Sequence, residues 1–304
     1  MKAAFPTGNK ALTGMLLAVL ATLIWSGNFI VARGVAQEIP PVSLAFYRWA
    51  TATLLLAPLA GRQLRQALPV IRQNKAYLFW TALSGVTLFN TFVYVAGHYS
   101  EAINLALIGT TTSPVFSILL ARLFLREYIT PLRLAGLSLC IAGILLLLSN
   151  GSWSTLLHLR FGKGDWWILA AALAFAVYNI FVRRKPASLP PLAFLLAVFA
   201  TGTLLLLPAW VVELQYQPAV QWNLRLLLVV LYLGAGTSVI AFLCWNAAIS
   251  RLGAGRTALF GNLIPLFSTL EAVVLLGERV TWLHAAAGAV ILSGLVLANR
   301  KALK

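Results

Sequence analysis

SPVFSILLARLFLREYIT, residues 113–130, comes back as IPLFSTLEAVVLLGERVT, residues 264–281. Pro114, Phe116, Ser117, Glu127 and Thr130 recur in order as Pro265, Phe267, Ser268, Glu278 and Thr281. A chain rich in Leu and Ala matches itself in scattered places. Aligned Pro, Ser and Glu at fixed spacing mark an internal repeat instead. A second pair extends it: PPVSLAFYRWATATLLLAP (40–58) matches PPLAFLLAVFATGTLLLLP (190–208). In that pair Pro40, Pro41, Ala50, Thr51, Thr53 and Pro58 return as Pro190, Pro191, Ala200, Thr201, Thr203 and Pro208. Asn28, Val31 and Arg33 of LIWSGNFIVAR (23–33) map to Asn179, Val182 and Arg184. The chain therefore divides into residues 1–150, a first repeat, and 151–304, a second.

Composition says what solvent the repeats face. Of 304 residues, 61% are hydrophobic and 10% charged, whereas soluble domains carry about a quarter charged residues. The apolar residues come in unbroken runs of about 20, the length that spans a bilayer. Runs and breaks predict ten helices, near 11–32, 41–60, 76–97, 102–125, 131–149, 166–183, 191–212, 224–249, 257–276 and 281–299. The first run follows Lys2 and Lys10 as a signal peptide would, but it is long enough to span and lacks a small-residue cleavage site. Nothing is left over for a soluble domain.

Loop charge sets the orientation. With the N-terminus inside, every Lys and Arg falls in an inside loop or terminus except Arg33, Arg160, Lys163, Arg225 and Arg279 outside, and Arg48 within the second helix. Both termini are then cytoplasmic. Five helices per repeat is an odd number, so the second repeat runs through the membrane upside down. The expected fold is an all-α integral membrane protein: ten transmembrane helices in two inverted five-helix repeats. Such repeats, related by a pseudo-two-fold axis in the membrane plane, are a transporter architecture with a midplane site.

The net charge of +16 is orientation charge, since no soluble domain carries a basic stripe able to track phosphates. No nucleic-acid partner is expected. Cys140 and Cys244 both fall inside apolar runs and read as small packing residues. No metal and no cofactor are implied.

IWSGNF in the first helix (24–29), the Pro114 and Pro265 helices, and the helix-end sequences REYIT and GERVT resemble the EamA-type members of the drug/metabolite transporter superfamily. The resemblance covers nearly the whole chain and both repeats. Among those members the chain most resembles the aromatic amino-acid exporters of the YddG type. It implies ten helices in two inverted repeats and export of amino acids and other metabolites. In REYIT, Arg126 stands where that family usually has Gly, so the turn there is expected to differ.

Polar residues inside a membrane face protein or a water-filled cavity. In the third helix Ser84, Thr87, Thr91, Tyr94 and His98 recur every three or four residues and share one face, with Asn90 at its edge. Hydroxyls on such a stripe also bond helix to helix; Tyr94 and His98 tip the reading toward a cavity wall. The repeat partner of Tyr94 is Trp245, with Asn246 beside it. Rings at these positions can stack on an apolar ligand or pack together. Trp25 and Asn28 share a face of the first helix, and Tyr178 and Asn179 sit at the corresponding level of the sixth. An Asn amide both donates and accepts, which suits a zwitterion and equally suits knitting one helix to another. Trp80, Trp166, Trp167 and Trp222 at helix ends read as interfacial anchors. Pro114 and Pro265 each free a carbonyl four residues earlier, and matched breaks in two halves point to the binding site. Thr110, Thr111, Thr112 and Asn262 lie near those breaks. Trp25, Asn28, Thr87, Thr91, Tyr94, His98, Tyr178, Asn179, Trp245, Asn246 and Asn262 are thus the expected substrate contacts.

The expected function is export of amino acids, aromatic and other apolar ones, from an inner membrane by a monomer set in lipid. The runner-up is export of other metabolites or lipophilic cationic drugs by proton antiport. That needs a buried carboxylate, and only Glu271 lies well inside a helix, nearly opposite the face of Asn262, Pro265 and Thr269. His98 is the other group able to carry a proton near neutrality. Facilitated export is the expectation. An intramembrane enzyme is remote: the only Asp is Asp165, and neither a His-Glu-x-x-His nor a Gly-x-Ser-x-Gly motif occurs.

Overall fold

A bilayer core offers no water to backbone polar groups, so apolar runs of spanning length fold as helices that satisfy themselves. The computed structural model describes residues 9–35, 37–99, 102–149, 151–157, 162–268, 271 and 282–299. Among these residues all regular structure is helical. The principal helices are α1 (Asn9–Gly34), α2 (Pro41–Gln73), α3 (Lys75–Tyr99), α4 (Ala102–Leu125) and α5 (Pro131–Ser149). After a short helical turn, Trp153–Leu157, come α6 (Lys163–Arg183), α7 (Pro191–Tyr216) and α8 (Leu224–Leu252). The α9 segment begins as Ala254–Leu259, tightens to a 3-10 turn at Phe260–Leu263 and resumes over 264–268; α10 is Trp282–Asn299. Six helices, α1, α2, α3, α6, α7 and α8, are long and apolar enough to cross a membrane, and shorter apolar helices accompany them. The far end of α9 and the loop carrying Glu278 and Thr281 lie outside the described residues.

Local sequence sets the helix starts. Pro41 and Pro191 occupy the first turns of α2 and α7, where a missing N–H costs nothing. The free N–H groups of α2 are taken by a remote acid: Glu213 accepts from Val42 N at 3.0 Å, Ser43 N at 2.6 Å and Ser43 Oγ at 2.7 Å. In α6 the Asp165 carboxylate accepts from Gly162 N at 2.6 Å, and at α8 Asn223 Oδ1 accepts from Leu226 N at 2.9 Å.

Two departures from the expected helices have physical causes. Residues 62–73, read as part of a break, continue α2 as helix. Most of them are good helix formers (Arg, Gln, Leu, Ala), and Leu64, Ala67 and Ile71 turn one face against the bundle, which carries the helix through Pro69. Further, α3 and α8 are each interrupted by a π-helical stretch, Leu83–Leu88 and Tyr232–Ile240. Close approaches accompany them: a Cβ on Gly85 would lie 2.1 Å from the Tyr178 ring, so α6 packs against bare backbone there.

Helices pair as α2 with α7, α5 with α10, α4 with α6, α3 with α6, and α1 with α8. Thr53 and Thr203 meet hydroxyl to hydroxyl at 3.3 Å in the α2–α7 seam. In the α5–α10 seam, a Cβ on Gly136 would lie 2.5 Å from Gly294 O, and Cys140 Sγ sits 3.5 Å from Ile291 O. Such contact is the close packing that small residues permit in membranes. Large apolar side chains such as Leu16, Leu54, Leu59 and Leu204 point outward, as suits lipid. Polar residues such as Arg48, Asn90 and Asn179 are buried within.

Candidate functional site

The buried face of α2 runs Leu44, Ala45, Arg48, Trp49, Ala52 and Leu56. Its three- and four-residue spacing turns Arg48 into the bundle, where it is 1% exposed. Four neutral acceptors hold it. Nε donates to Ser238 Oγ at 2.7 Å, Nη1 to Asn28 Oδ1 at 3.1 Å and Tyr94 Oη at 3.0 Å, and Nη2 to Thr237 O at 3.2 Å. Among the described residues no carboxylate lies within 4 Å of its guanidinium. Its guanidinium carbon stands 5.1 Å from the Trp49 ring centre.

Aromatic rings close the other side. Trp25 lies 4.9 Å from Trp245, 5.6 Å from Phe175 and 5.5 Å from Phe242 between ring centres. Phe175 stacks on Phe89 at 4.5 Å. Trp25 Nε1 donates to Thr237 O at 2.8 Å, the carbonyl that also receives Arg48. Trp245 Nε1 donates to Asn179 Oδ1 at 2.9 Å, and Asn179 Nδ2 to Ser117 Oγ at 3.2 Å. Tyr178 Oη donates to Asn246 Oδ1 at 2.8 Å. Asn28 and Tyr94 match Asn179 and Trp245 in sequence. In the second pair ring and amide bond directly; in the first, Arg48 stands between them.

These groups enclose a cavity. Its wall includes Trp25, Asn28, Arg48, Asn90, Phe175 and Trp245, and both proline-bearing helices reach it, through Ser113 and Pro114 of α4 and Ala258, Gly261 and Ile264 of α9. The proline-bearing stretches of the two helices thus meet at the pocket, although α4 runs through Pro114 as one continuous helix. The wall is mostly apolar, with a few convergent polar groups, as ligand sites are.

Of the expected contacts, Trp25, Asn28 and Trp245 line the cavity. Tyr94, Asn179, Tyr178 and Asn246 stand behind it, hydrogen-bonded as above. Thr87 Oγ1 donates to Gly202 O at 3.3 Å and so joins α3 to α7, while Thr91 Oγ1 is buried without a partner among the described residues. His98 is set apart: its Nδ1 is 2.9 Å from Tyr94 O, and its ring lines a wide vestibule with Glu38, Glu213 and Gln217. Asn262 is buried against Cys140 rather than in the cavity wall. Thr112 Oγ1 bonds back to Ile108 O; the side chains of Thr110 and Thr111 lie outside the described residues. Glu271 accepts from Ser26 Oγ at 2.5 Å, joining α9 to α1 away from the cavity wall. Sequence reasoning placed Asn90 only at the edge of the polar stripe and missed Arg48, Phe89 and Phe175 as cavity residues. For Arg48 a signal was present: an ionisable residue inside an apolar span is a functional candidate by default.

An apolar-surfaced helical bundle, built around a pocket with a ring-lined wall and a cation held by neutral acceptors, is the frame of a membrane solute transporter. The EamA-like transporter family matches residues 12–149 and again 162–300, and the chain belongs to that family. An uncharacterized transporter of Archaeoglobus fulgidus is 30% identical over 94% of this chain and 97% of its own. A probable terminal-alkyne amino-acid exporter of Streptantibioticus cattleyicolor is 28% identical over 97% of this chain and 95% of its own. A protein crystal structure 22% identical in sequence shares the fold, with a TM-score of 0.76 over 95% of this chain and 97% of that one.

Proposed function

We propose that this transporter exports amino acids with aromatic or other apolar side chains, and that it works by alternating access. The observation that carries this reading is the cavity itself. Trp25, Phe89, Phe175 and Trp245 offer ring faces to an apolar body, and Asn28, Asn90 and Arg48 offer polar groups to a head. The name of the Streptantibioticus relative supports the same substrate class.

The chain is two repeats, residues 1–150 and 151–304, five transmembrane helices each and inverted with respect to one another, and because helices pair across the repeats, α2 with α7, α1 with α8 and α4 with α6, the moving parts draw helices from both. Several features support this. The π-helical stretches of α3 and α8 stand at repeat-related positions. Thr53 meets its own counterpart Thr203, and Cys140 meets Ile291, as residues near a two-fold axis would. Loop charge supports cytoplasmic termini in an inner membrane. The protein acts as a monomer, with lipid around it and the solute as its ligand. Transport is facilitated: Glu271 is engaged with Ser26 and does not line the cavity.

Proteoliposome uptake tests the substrate class. Phenylalanine, tryptophan and leucine are expected to enter unaltered and to compete with one another. Lipophilic cations such as tetraphenylphosphonium are not expected to compete. Uptake of the cation without uptake of any amino acid would overturn the reading in favour of drug export.

A further inference from the structure

We propose that Arg48 and Asn90 form the head-group site for an α-amino acid: the Arg48 guanidinium takes the carboxylate, and the Asn90 amide oxygen takes the ammonium. The pocket thereby selects carboxylate-bearing solutes and refuses amines that lack one. This rests on the amino-acid reading above and assigns it to two side chains.

The first observation is charge. Arg48 is a cation inside an apolar bundle, met only by neutral acceptors among the described residues. Holding a charge there without an opposite one is unfavourable, and fold stability does not call for it. A guanidinium carries five N–H groups in a planar fork. Four are engaged, leaving one on Nη2, and the side chain forms part of the cavity wall. A ligand carboxylate brings the missing opposite charge and can accept a charge-assisted hydrogen bond from the free Nη2 N–H. The same cation in a low-dielectric pocket repels a ligand that is only cationic.

The second observation is independent. Asn90 is 1% exposed, neither its Oδ1 nor its Nδ2 has a hydrogen-bond partner among the described residues, and it lines the same cavity. Buried polar atoms are normally paired, and leaving them unpaired is destabilising. Asn90 lies one helical turn before Tyr94, whose hydroxyl holds Arg48, so the orphan amide and the guanidinium share one side of the pocket. Its oxygen is the acceptor that an ammonium needs, and its nitrogen can donate to the same carboxylate.

Calorimetric titration of the purified protein with three probes that share a phenyl body tests this. Phenylalanine has both head groups, 3-phenylpropionate lacks the ammonium, and phenethylamine lacks the carboxylate. Phenylalanine is expected to bind most tightly, and phenethylamine to be weaker by roughly 10- to 100-fold, as for loss of charged hydrogen bonds. Arg48→Gln should erase that gap. Since this variant could fail to fold, Asn90→Leu provides a second arm. It should lower phenylalanine affinity to that of 3-phenylpropionate while holding or raising the thermal midpoint, because a buried unpaired amide has gone. Equal binding of phenethylamine and phenylalanine by the wild type would overturn the proposal. So would an unchanged preference in folded Asn90→Leu and Arg48→Gln, with amino-acid export left standing. Binding of 3-phenylpropionate with no binding of phenylalanine would overturn amino-acid export and the Asn90 role, leaving Arg48 as a reader of acids. Binding of none of the three would overturn both readings.

Discussion

At Arg126 the backbone takes a φ of +54°, the left-handed region, although a side chain with a Cβ disfavours it by about 1–2 kcal/mol. This is the position where the resemblance sets Gly. The turn expected to differ keeps the conformation that suits glycine, and the residue bears the strain. Arg126→Gly is therefore expected to stabilise the protein by about 1 kcal/mol, part of the relief being lost to chain entropy. A raised thermal midpoint checks it, and a lowered one would show that the exposed Arg126 side chain holds something in place. In the pocket, Trp245→Phe keeps the ring beside Trp25 but leaves Asn179 Oδ1 without its donor. A loss of about 1–3 kcal/mol is expected, read as a lower midpoint; an unchanged midpoint would mean that the indole N–H adds nothing. Trp25, Asn28 and Trp245 were legible in the sequence because a large ring or an amide in an apolar run is conspicuous. Arg48 was equally conspicuous, but its partners Ser238 and Thr237 come from a distant helix that no local pattern connects to it.

The third helix shows why patterns fail between residues and elements. Its polar stripe assumed about 3.6 residues per turn throughout. The π-helical stretch at Leu83–Leu88 unwinds the helix, so the residues before it rotate away from those after it. Inside the stretch Ser84 bonds to Trp80 O and Thr87 to Gly202 O, while Asn90 and Tyr94, beyond it, serve the pocket. The small-residue seam of α5 and α10 was legible, because Gly136 and Cys140 sit where backbones must touch. One contact between elements carries a functional expectation. Glu127, after α4, accepts from Ala254 N at 3.2 Å, stands 3.6 Å from Arg133 and so ties the start of α9 to the first half of the chain. Gly253 holds φ +91° beside it, and a Cβ there would lie 2.7 Å from Glu127 Oε1. Glu127→Ala should loosen this tie and open the pocket at that end. The check is the labelling rate of a cysteine at Ala258, a buried pocket residue, which is expected to rise several-fold with a water-soluble reagent. An unchanged rate would remove Glu127 from gating.

For the whole molecule, the repeat was the most legible feature, because Pro, Ser and Glu at matched spacing cannot arise from composition alone. What the repeat could not reveal is where the halves differ. Val198 holds the position in PPLAFLLAVFATGTLLLLP that Arg48 holds in PPVSLAFYRWATATLLLAP, so the pocket cation belongs to one half only. Energy coupling is likewise a property of the whole. Glu271 bonded to Ser26 reads as a helix tie, and Gln can still accept that hydrogen bond but cannot titrate. The account's central claim is a carrier whose one site faces each side in turn without needing a proton. Counterflow tests it most directly: vesicles loaded with unlabelled phenylalanine are diluted into labelled phenylalanine, with no ion gradient. Transient accumulation of label above equilibrium is expected, in the wild type and in Glu271→Gln alike. Absence of the overshoot in the wild type, or its appearance only when a pH gradient is imposed and Glu271 is intact, would contradict the account.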